Sequence, residues 1–374
     1  MIDAWVFNFM QALGPEEPDY SDPAVLQRTY DWHMDLCVRA EDLGFKGVFF
    51  SEHHFLNLFN LSPNLLVAAL AQRTKTLRIG VLGNVLPLHQ PWRLAEEIGM
   101  LDYLTHGRLE IGYSNGASTG EFAGIGIRPE EVKPLFSEAL DVIEAALERE
   151  AITHHGQKWN YEDLHITPRS NPKRSGRKWL TVLSEQSAAS AAKRGFSVFT
   201  GFLSCDRIAP LFDAYRAAAG EAGRSAQPAE MGIRRTIFIA DTDAQAEAIF
   251  KEAHRIQLER FSSTADHALG TAIGKGPHPG TKALSDGARQ TGAVDAGSPS
   301  TQHVGELFSS EEEFIVGSPG TVTEKIVEQC RKTGAGNIAA MSFPTVEESE
   351  FAHSFELWQE VIPILKKTEI NARG

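Results

Sequence analysis

The feature that most constrains the fold is an alternation. Eight short apolar runs lie at 3–9, 47–50, 77–83, 108–113, 179–183, 197–200, 233–240 and 337–343. Longer stretches with helical periodicity separate them, at 23–43, 62–74, 91–105, 131–149, 185–194, 206–219, 242–269 and 320–333. A ninth, at 348–367, follows the last run. Parallel strands need a crossover of roughly a dozen residues between neighbours, which these helices supply. Eight strand–helix units predict a closed (β/α)8 TIM barrel, an α/β fold, rather than an open doubly wound sheet. Such a barrel absorbs 374 residues with insertions, so 1–374 is expected to be a single domain.

Local chemistry supports several of these boundaries. Ser62 and Pro63 read as a helix cap followed by a first-turn proline. Gly44 and Gly334 follow their helices, where a left-handed residue commonly ends them. Two stretches exceed a minimal barrel. Residues 114–130 lengthen the connection after the fourth strand. Residues 270–305 are rich in Gly, Ser and Thr, with almost no apolar periodicity. A long irregular segment of that kind is expected to be a lid or binding loop, or to lack order.

Charge narrows the partners. A net charge of −13 argues against nucleic acid and anionic membrane surfaces, both of which need a basic face. No run of about 18 apolar residues occurs, so no membrane span is expected. The N-terminus MIDAWVFNFM has no basic region and no secretory pattern. The three cysteines, Cys37, Cys205 and Cys330, are far apart and show no zinc spacing. Reduced thiols, a cytoplasmic location and no metal site are expected.

Active sites of these barrels form at the C-terminal ends of the strands. The second strand ends in Ser51-Glu52-His53-His54. A histidine titrates near neutrality, so either one could move a proton or bond an oxyanion. Neighbours in extended backbone point to opposite sides, so the two should not share a role. A hydrogen-bonded structural pair without chemistry explains the residues equally well. A metal site built on Glu52 and His54 is weaker, because no HxH or HExxH partner stands out. The fifth strand ends in SEQSAAS at 184–190, where hydroxyls and backbone N–H groups could cradle a phosphate. Ordinary helix capping by Ser184 or Ser187 is the simpler reading. In YSNGASTGEF at 113–122, small residues would let a planar ligand approach the backbone. A flexible loop explains that stretch as well.

Together these pieces resemble the bacterial luciferase-like flavin-dependent monooxygenases, over nearly the whole chain. The resemblance rests on SEHHF at 51–55, GNVLPLHQPWRLAEEIGMLDYLTHGRLEIGYSNG at 83–116, the serines of 184–190 and GSPGTVTEKI at 317–326. It implies a (β/α)8 barrel binding reduced FMN or, in one branch, the deazaflavin F420; the EHH pattern is closer to the FMN branch and to luciferase. By that resemblance, His53 handles protons near the flavin, with His54 and Glu121 as weaker candidates. Leu82-Gly83 forms a cis peptide under the ring, and Ser114 falls beside the ring where luciferase has a cysteine. Ser184 and Ser187, with Glu185 between them, hold the phosphate. Asn115 stands where luciferase has an arginine on the phosphate; a neutral amide cannot make that charge-assisted bond, so the expectation is either weaker FMN binding or help from another cation such as Arg174 or Arg177. These departures argue against light emission. Residues 270–305 match a mobile lid.

The function implied is an FMNH2-dependent, two-component monooxygenase. A separate NAD(P)H:flavin reductase supplies the flavin, and oxygen adds at the flavin C4a. The peroxide so formed oxygenates a small, apolar organic substrate, with a carbonyl compound as one option. Two other readings stand beside it: an F420-dependent hydride-transfer oxidoreductase, and a non-catalytic flavin-binding subunit of a heterodimer. The resemblance also implies a homodimer or heterodimer, built on the helices after strands two and three.

Overall fold

The computed structural model describes residues 1–55, 58–116, 119–171, 176–272, 310–341 and 345–370, without the side chains of 119 and 258–272. Eight parallel strands close into a barrel: β1 (Asp3–Asn8), β2 (Gly47–Phe50), β3 (Arg78–Val85), β4 (Leu109–Ser114), β7 (Lys178–Thr181), β8 (Ser197–Thr200), β9 (Met231–Ile239) and β11 (Asn337–Met341). Closure comes from β9, which pairs with β8 on its Met231–Ile233 segment and with β11 from Gly232 to Thr236. The eight strands coincide with the eight apolar runs: 47–50 and 197–200 match at both ends, and elsewhere the ends differ by at most two residues. Residues 342–344, in the last of those runs, lie outside the described residues.

The helices follow the expected alternation: α1 (Pro23–Leu43), α2 (Pro63–Arg73), α3 (Pro91–Leu104), α5 (Pro129–Glu148), α6 (Glu185–Lys193), α7 (Cys205–Glu221), α8 (Asp243–Ala272) and α9 (Pro319–Thr333). In α1 the buried residues Thr29, His33, Met34, Cys37 and Ala40 form one stripe against the barrel. Asp22 caps that helix by accepting from the Ala24 N–H at 2.8 Å, and left-handed Gly44 ends it. Ser62 corrects an expectation. It stands at the start of α2, but its side chain makes no capping bond, and Pro63 alone sets the first turn.

Four elements escape the apolar pattern. The hairpin β5 (Ile152–His155) with β6 (Asn160–Leu164) is mostly polar and half exposed, so it shows no apolar run. The short α4 (Thr119–Gly124) sits within the connection after β4. The four residues of β10 (Phe314–Gly317) extend the sheet along the C-terminal half of β9. The closing helical stretch is two helices, α10 (Glu348–Glu356) and α11 (Trp358–Lys367), which meet at Leu357. Of the stretch 270–305, residues 270–272 end α8 and the rest lies outside the described residues.

Alternation along each strand sorts the core into two shells. Val6, Val48, Phe50, Ile79, Val81, Ile111, Val198 and Ile233 face the helices in the large outer core. Trp5, Phe49, Leu82, Trp179, Phe199 and Ala339 fill the barrel axis. Trp5 stacks on Phe49 at 4.7 Å, and Trp179 and Phe199 lie 4.9 Å apart. This aromatic plug makes the interior solid and forms the floor of the C-terminal mouth. Below it, buried Glu110 accepts from the Trp179 indole N–H at 2.6 Å and the Arg177 N–H at 2.9 Å, and pairs with Arg78.

Candidate active site

The chain leaves β2 into a loop that is tied down before it can wander. Asn60, fully buried, accepts from the Met10 N–H at 2.7 Å and donates to the Asn8 carbonyl at 3.1 Å. The same loop returns a backbone bond from His53 N–H to the Asn60 carbonyl. The segment Ser51–His54 is therefore held by the end of β1 on one side and by its own loop on the other.

Two buried carboxylates organise this rim. Glu52 accepts from His89 Nε2 at 2.7 Å, from His54 Nε2 at 3.1 Å and from the Val85 N–H at 2.6 Å. Burial alone would raise its pKa. The bonds from His54, His89 and Val85 outweigh burial and hold it at about 2. The Glu52 carboxylate in turn raises the pKa of His54. Glu52 thus joins the end of β2 to the end of β3 and to the loop leading into α3. The second carboxylate, Glu121 of α4, accepts from the His54 backbone N–H at 3.0 Å. Its Oε1 lies 3.3 Å from His53 Nδ1. The His53 ring packs edge-on against Phe9 at 5.1 Å and keeps 27% side-chain exposure.

The structure therefore brings His53, His54 and Glu121 together, as adjacent groups with different partners. His54 spends its Nε2 on Glu52. With Nδ1 turned to Glu121, His53 retains Nε2 for exchange with a bound molecule. Glu52 and His89 are the residues that sequence spacing undervalued. His89 lies 37 positions away, and only the β2–β3 pairing brings it to Glu52. Both imidazoles aim at the carboxylate itself, and among the described residues no group of three or more His, Cys, Asp or Glu could hold a metal ion.

The next strand end carries the Leu82–Gly83 peptide, which is cis. It sits where the β3–β4 register shifts, between Val81 and Asn84. Only glycine fits at 83, because a Cβ there would stand 2.6 Å from the Tyr113 backbone carbon. Asn84 donates to the Gly112 carbonyl at 3.0 Å across this irregularity. Ser114 turns its hydroxyl back to accept from the Gly116 N–H at 3.0 Å, and Asn115 is exposed.

The serine cluster lies two barrel positions on from β3, after β7. Ser184 Oγ accepts from the Ser187 N–H at 3.2 Å, and Ser187 Oγ accepts from the Ser184 N–H at 3.2 Å. These bonds are the capping box of α6, so both hydroxyls have a structural duty. Glu185 is exposed in the first turn. Arg177 cannot assist here. It precedes β7, at the N-terminal end of the barrel, with its guanidinium near the Trp179 ring. Arg174 lies outside the described residues.

The residues at the mouth fit a flavin. An aromatic floor underlies an inward-facing Ser51, whose Oγ is buried without a hydrogen-bond partner among the described residues, as is Asn84 Oδ1. A planar heteroaromatic ring with N–H and carbonyl edges suits that mix of flat apolar surface and unsatisfied polar atoms.

Residues 9–337 match the family model for luciferase-like monooxygenases. The chain belongs to that family. 3,6-Diketocamphane 1,6-monooxygenase of Pseudomonas putida is 26% identical over 338 residues, 82% of this chain and 85% of that one. The oxygenase component of the flavin-dependent trigonelline monooxygenase of Acinetobacter baylyi is 26% identical over 238 residues, 62% of this chain and 65% of that one. The solved structure of the 3,6-diketocamphane monooxygenase oxygenating constituent, a type II Baeyer–Villiger enzyme in complex with FMN, superposes with a TM-score of 0.74 at 25% identity, covering 99% of each chain. An F420-dependent secondary alcohol dehydrogenase shares the fold, with a TM-score of 0.68 at 14% identity over 97% of this chain and 99% of that one. The protein is thus an enzyme, a luciferase-like flavin-dependent monooxygenase on a (β/α)8 barrel. Among its described residues, no helix is long and apolar enough to cross a membrane.

Proposed function

We propose that the protein is the oxygenase component of a two-component system. It takes reduced FMN from a separate NAD(P)H:flavin reductase and transfers one oxygen atom from O2 to a small, largely apolar organic substrate. When bound, the reduced flavin supplies the two electrons that convert the second oxygen atom to water. The observation that carries this reading is the His53–Glu121 pair at the mouth of an aromatic-floored barrel.

In this account each rim residue has a separate task. His53 holds or delivers a proton at Nε2, while Glu121 orients the ring through Nδ1. Glu52 fixes His54 and His89, so the loop carrying His53 cannot swing away. Leu82, Gly83, Ser114 and Asn115 form the wall against the ring of the flavin. Ser184, Glu185 and Ser187 open α6, whose N-terminus is the place for the phosphate. The bound molecule must displace water from the mouth, which limits wasteful release of hydrogen peroxide.

A dimer with a second copy fits the surface. Leu65 on α2 and Trp92, Met100, Tyr103 and Leu104 on α3 are all large apolar side chains left exposed. Exposed apolar groups gathered on adjacent helices mark association surfaces. The three described cysteines are free and buried, which suits a reducing cytoplasm.

The test is an anaerobic titration of the purified chain with reduced FMN, oxidised FMN and reduced F420. Saturable binding of reduced FMN, tighter than oxidised FMN, is expected. Saturation by reduced F420 alone would replace this reading with hydride transfer. Binding of neither would leave the chain a non-catalytic subunit.

A further inference from the structure

Phe7 of β1 is exposed in a place where only the barrel mouth can expose it. β1 is paired along both edges, with β11 and with β2. Its outward face is covered as well. Val6 lies in the outer core, and Asn8 Nδ2 sits 3.3 Å from His33 Nδ1 and 3.4 Å from Cys37 Sγ of α1. Side chains alternate along a strand, so Trp5 and Phe7 point to the axis. Trp5 belongs to the aromatic floor and is fully buried. Phe7 packs on that floor yet stays partly exposed. With both edges paired and the back covered, solvent reaches the Phe7 ring from the mouth. Phe9, just past the strand, is partly exposed too, and its ring meets His53 edge-on at 5.1 Å.

The run WVFNF thus raises a wall of aromatic rings from the floor to His53. About 6.6 Å of strand separates one inward residue from the next. Met341 of β11, the register partner of Phe7, follows Ala339 of the floor on the inward face and adds a thioether to the wall. Across the barrel the chemistry differs. β7 stands four strands from β1 in either direction. Its Trp179 lies in the floor, so Thr181 points inward, and Thr181 is partly exposed. On neighbouring β4 the partly exposed end residue is Ser114. The serines that open α6 follow on the β7 side. A flavin with polar edges and a phosphate matches that hydroxyl-bearing side, and an apolar molecule matches the β1–β11 side.

We propose that the ring of a neutral, monocyclic substrate packs against Phe7, and that Phe7 sets the largest ring the enzyme accepts. The word substrate rests on the monooxygenase reading; the apolar subsite does not. Phe7 stands on a solid floor, where Trp5 stacks on Phe49 at 4.7 Å, so its ring cannot recede. Met341 beside it is only 8% exposed, which keeps the opening above the floor narrow. An apolar pocket of this kind discriminates by room and not by charge. The Phe9–His53 contact places the histidine beside whatever lies on the wall.

The probes are cyclohexanone and 2-decalone, a one-ring and a two-ring ketone. Each is titrated calorimetrically into the full chain carrying reduced FMN under anaerobic conditions, and into the chain alone. A larger apolar molecule binds tighter wherever space permits, so a preference for the smaller one reports a steric stop. The wild type is expected to bind cyclohexanone about tenfold or more tighter than 2-decalone. Phe7→Ala should reverse that order while leaving affinity for reduced FMN unchanged. Phe7→Leu removes less of the ring and should shrink the preference, and it decides the matter if Phe7→Ala fails to fold. No saturable cyclohexanone binding, tighter binding of 2-decalone by the wild type, or the wild-type preference retained in both variants would overturn the proposal. Loss of reduced-FMN affinity in both variants would also overturn it, and would assign the β1 wall to the flavin. Failure of reduced FMN to bind, with the size switch intact in the chain alone, would defeat the monooxygenase reading and leave the apolar subsite standing.

Discussion

The histidine side of the mouth and the serine side are built in opposite ways. At the ends of β2 and β3, partly exposed imidazoles lean on fully buried carboxylates, and the bonds cross between strands. At the end of β7, two exposed serines bond to each other within one helical turn. The first arrangement spends buried charge to fix side chains that face the mouth. The second satisfies itself locally and would look the same in any well-capped helix. Long-range buried ionic contacts are therefore the stronger sign of a working site, and local capping the weaker one.

The contrast predicts its largest effect at His53. His53→Ala should cut coupled product formation by about 100-fold or more, the usual scale for losing a general acid or base. Reduced FMN should still bind, and the oxygen consumed should appear as hydrogen peroxide. Full coupling in this variant, read by oxygen electrode and peroxide assay, would remove His53 from the chemistry.

Glu52→Gln tests the hub beneath it. Removing one partner from a buried ionic group costs on the order of 3 kcal/mol, so a clear drop in melting temperature is expected. The pH dependence has a defined sign. The Glu52 carboxyl sits at about 2 against an ordinary 4.5, so its contribution is complete above that ordinary value and fades as pH falls toward 2. The His54 pKa is raised above 6.5, so its contribution is complete below that value and fades as pH rises through the folded one. The stability gap between wild type and Glu52→Gln should thus be widest between about pH 5 and 6.5 and narrow on both sides. A gap that does not change with pH in thermal melts would contradict the ionic account of the hub.

On the serine side the expected effect is small. Ser184→Ala should cost about 1 kcal/mol, the worth of an N-cap, with a modest loss of affinity for reduced FMN. A collapse of flavin binding in titration would show that the hydroxyl, and not the helix end, holds the phosphate. Away from the mouth, Met100→Glu on α3 should leave the fold intact and shift the protein toward monomer in sedimentation. An unchanged dimer would move the interface elsewhere.

The barrel strands could be read from the sequence because they are buried on both faces and carry continuous apolar runs such as GVFF and LRIGVLG. The β5–β6 hairpin was hidden because its residues are polar and half exposed. His53, His54 and Glu121 could be picked out by residue type and position. The Glu52–His89 bond could not, since it depends on β2–β3 pairing across 37 positions.

The most direct measurement mixes the anaerobic complex of the chain and reduced FMN with air-saturated buffer in a stopped-flow spectrometer, following flavin oxidation and peroxide release together. The account predicts that protein-bound flavin oxidises through a phase that free flavin lacks, with peroxide release delayed behind it in the wild type and the delay shortened in His53→Ala. Oxidation indistinguishable from that of free FMN would contradict the claim that this barrel mouth is an oxygenase site.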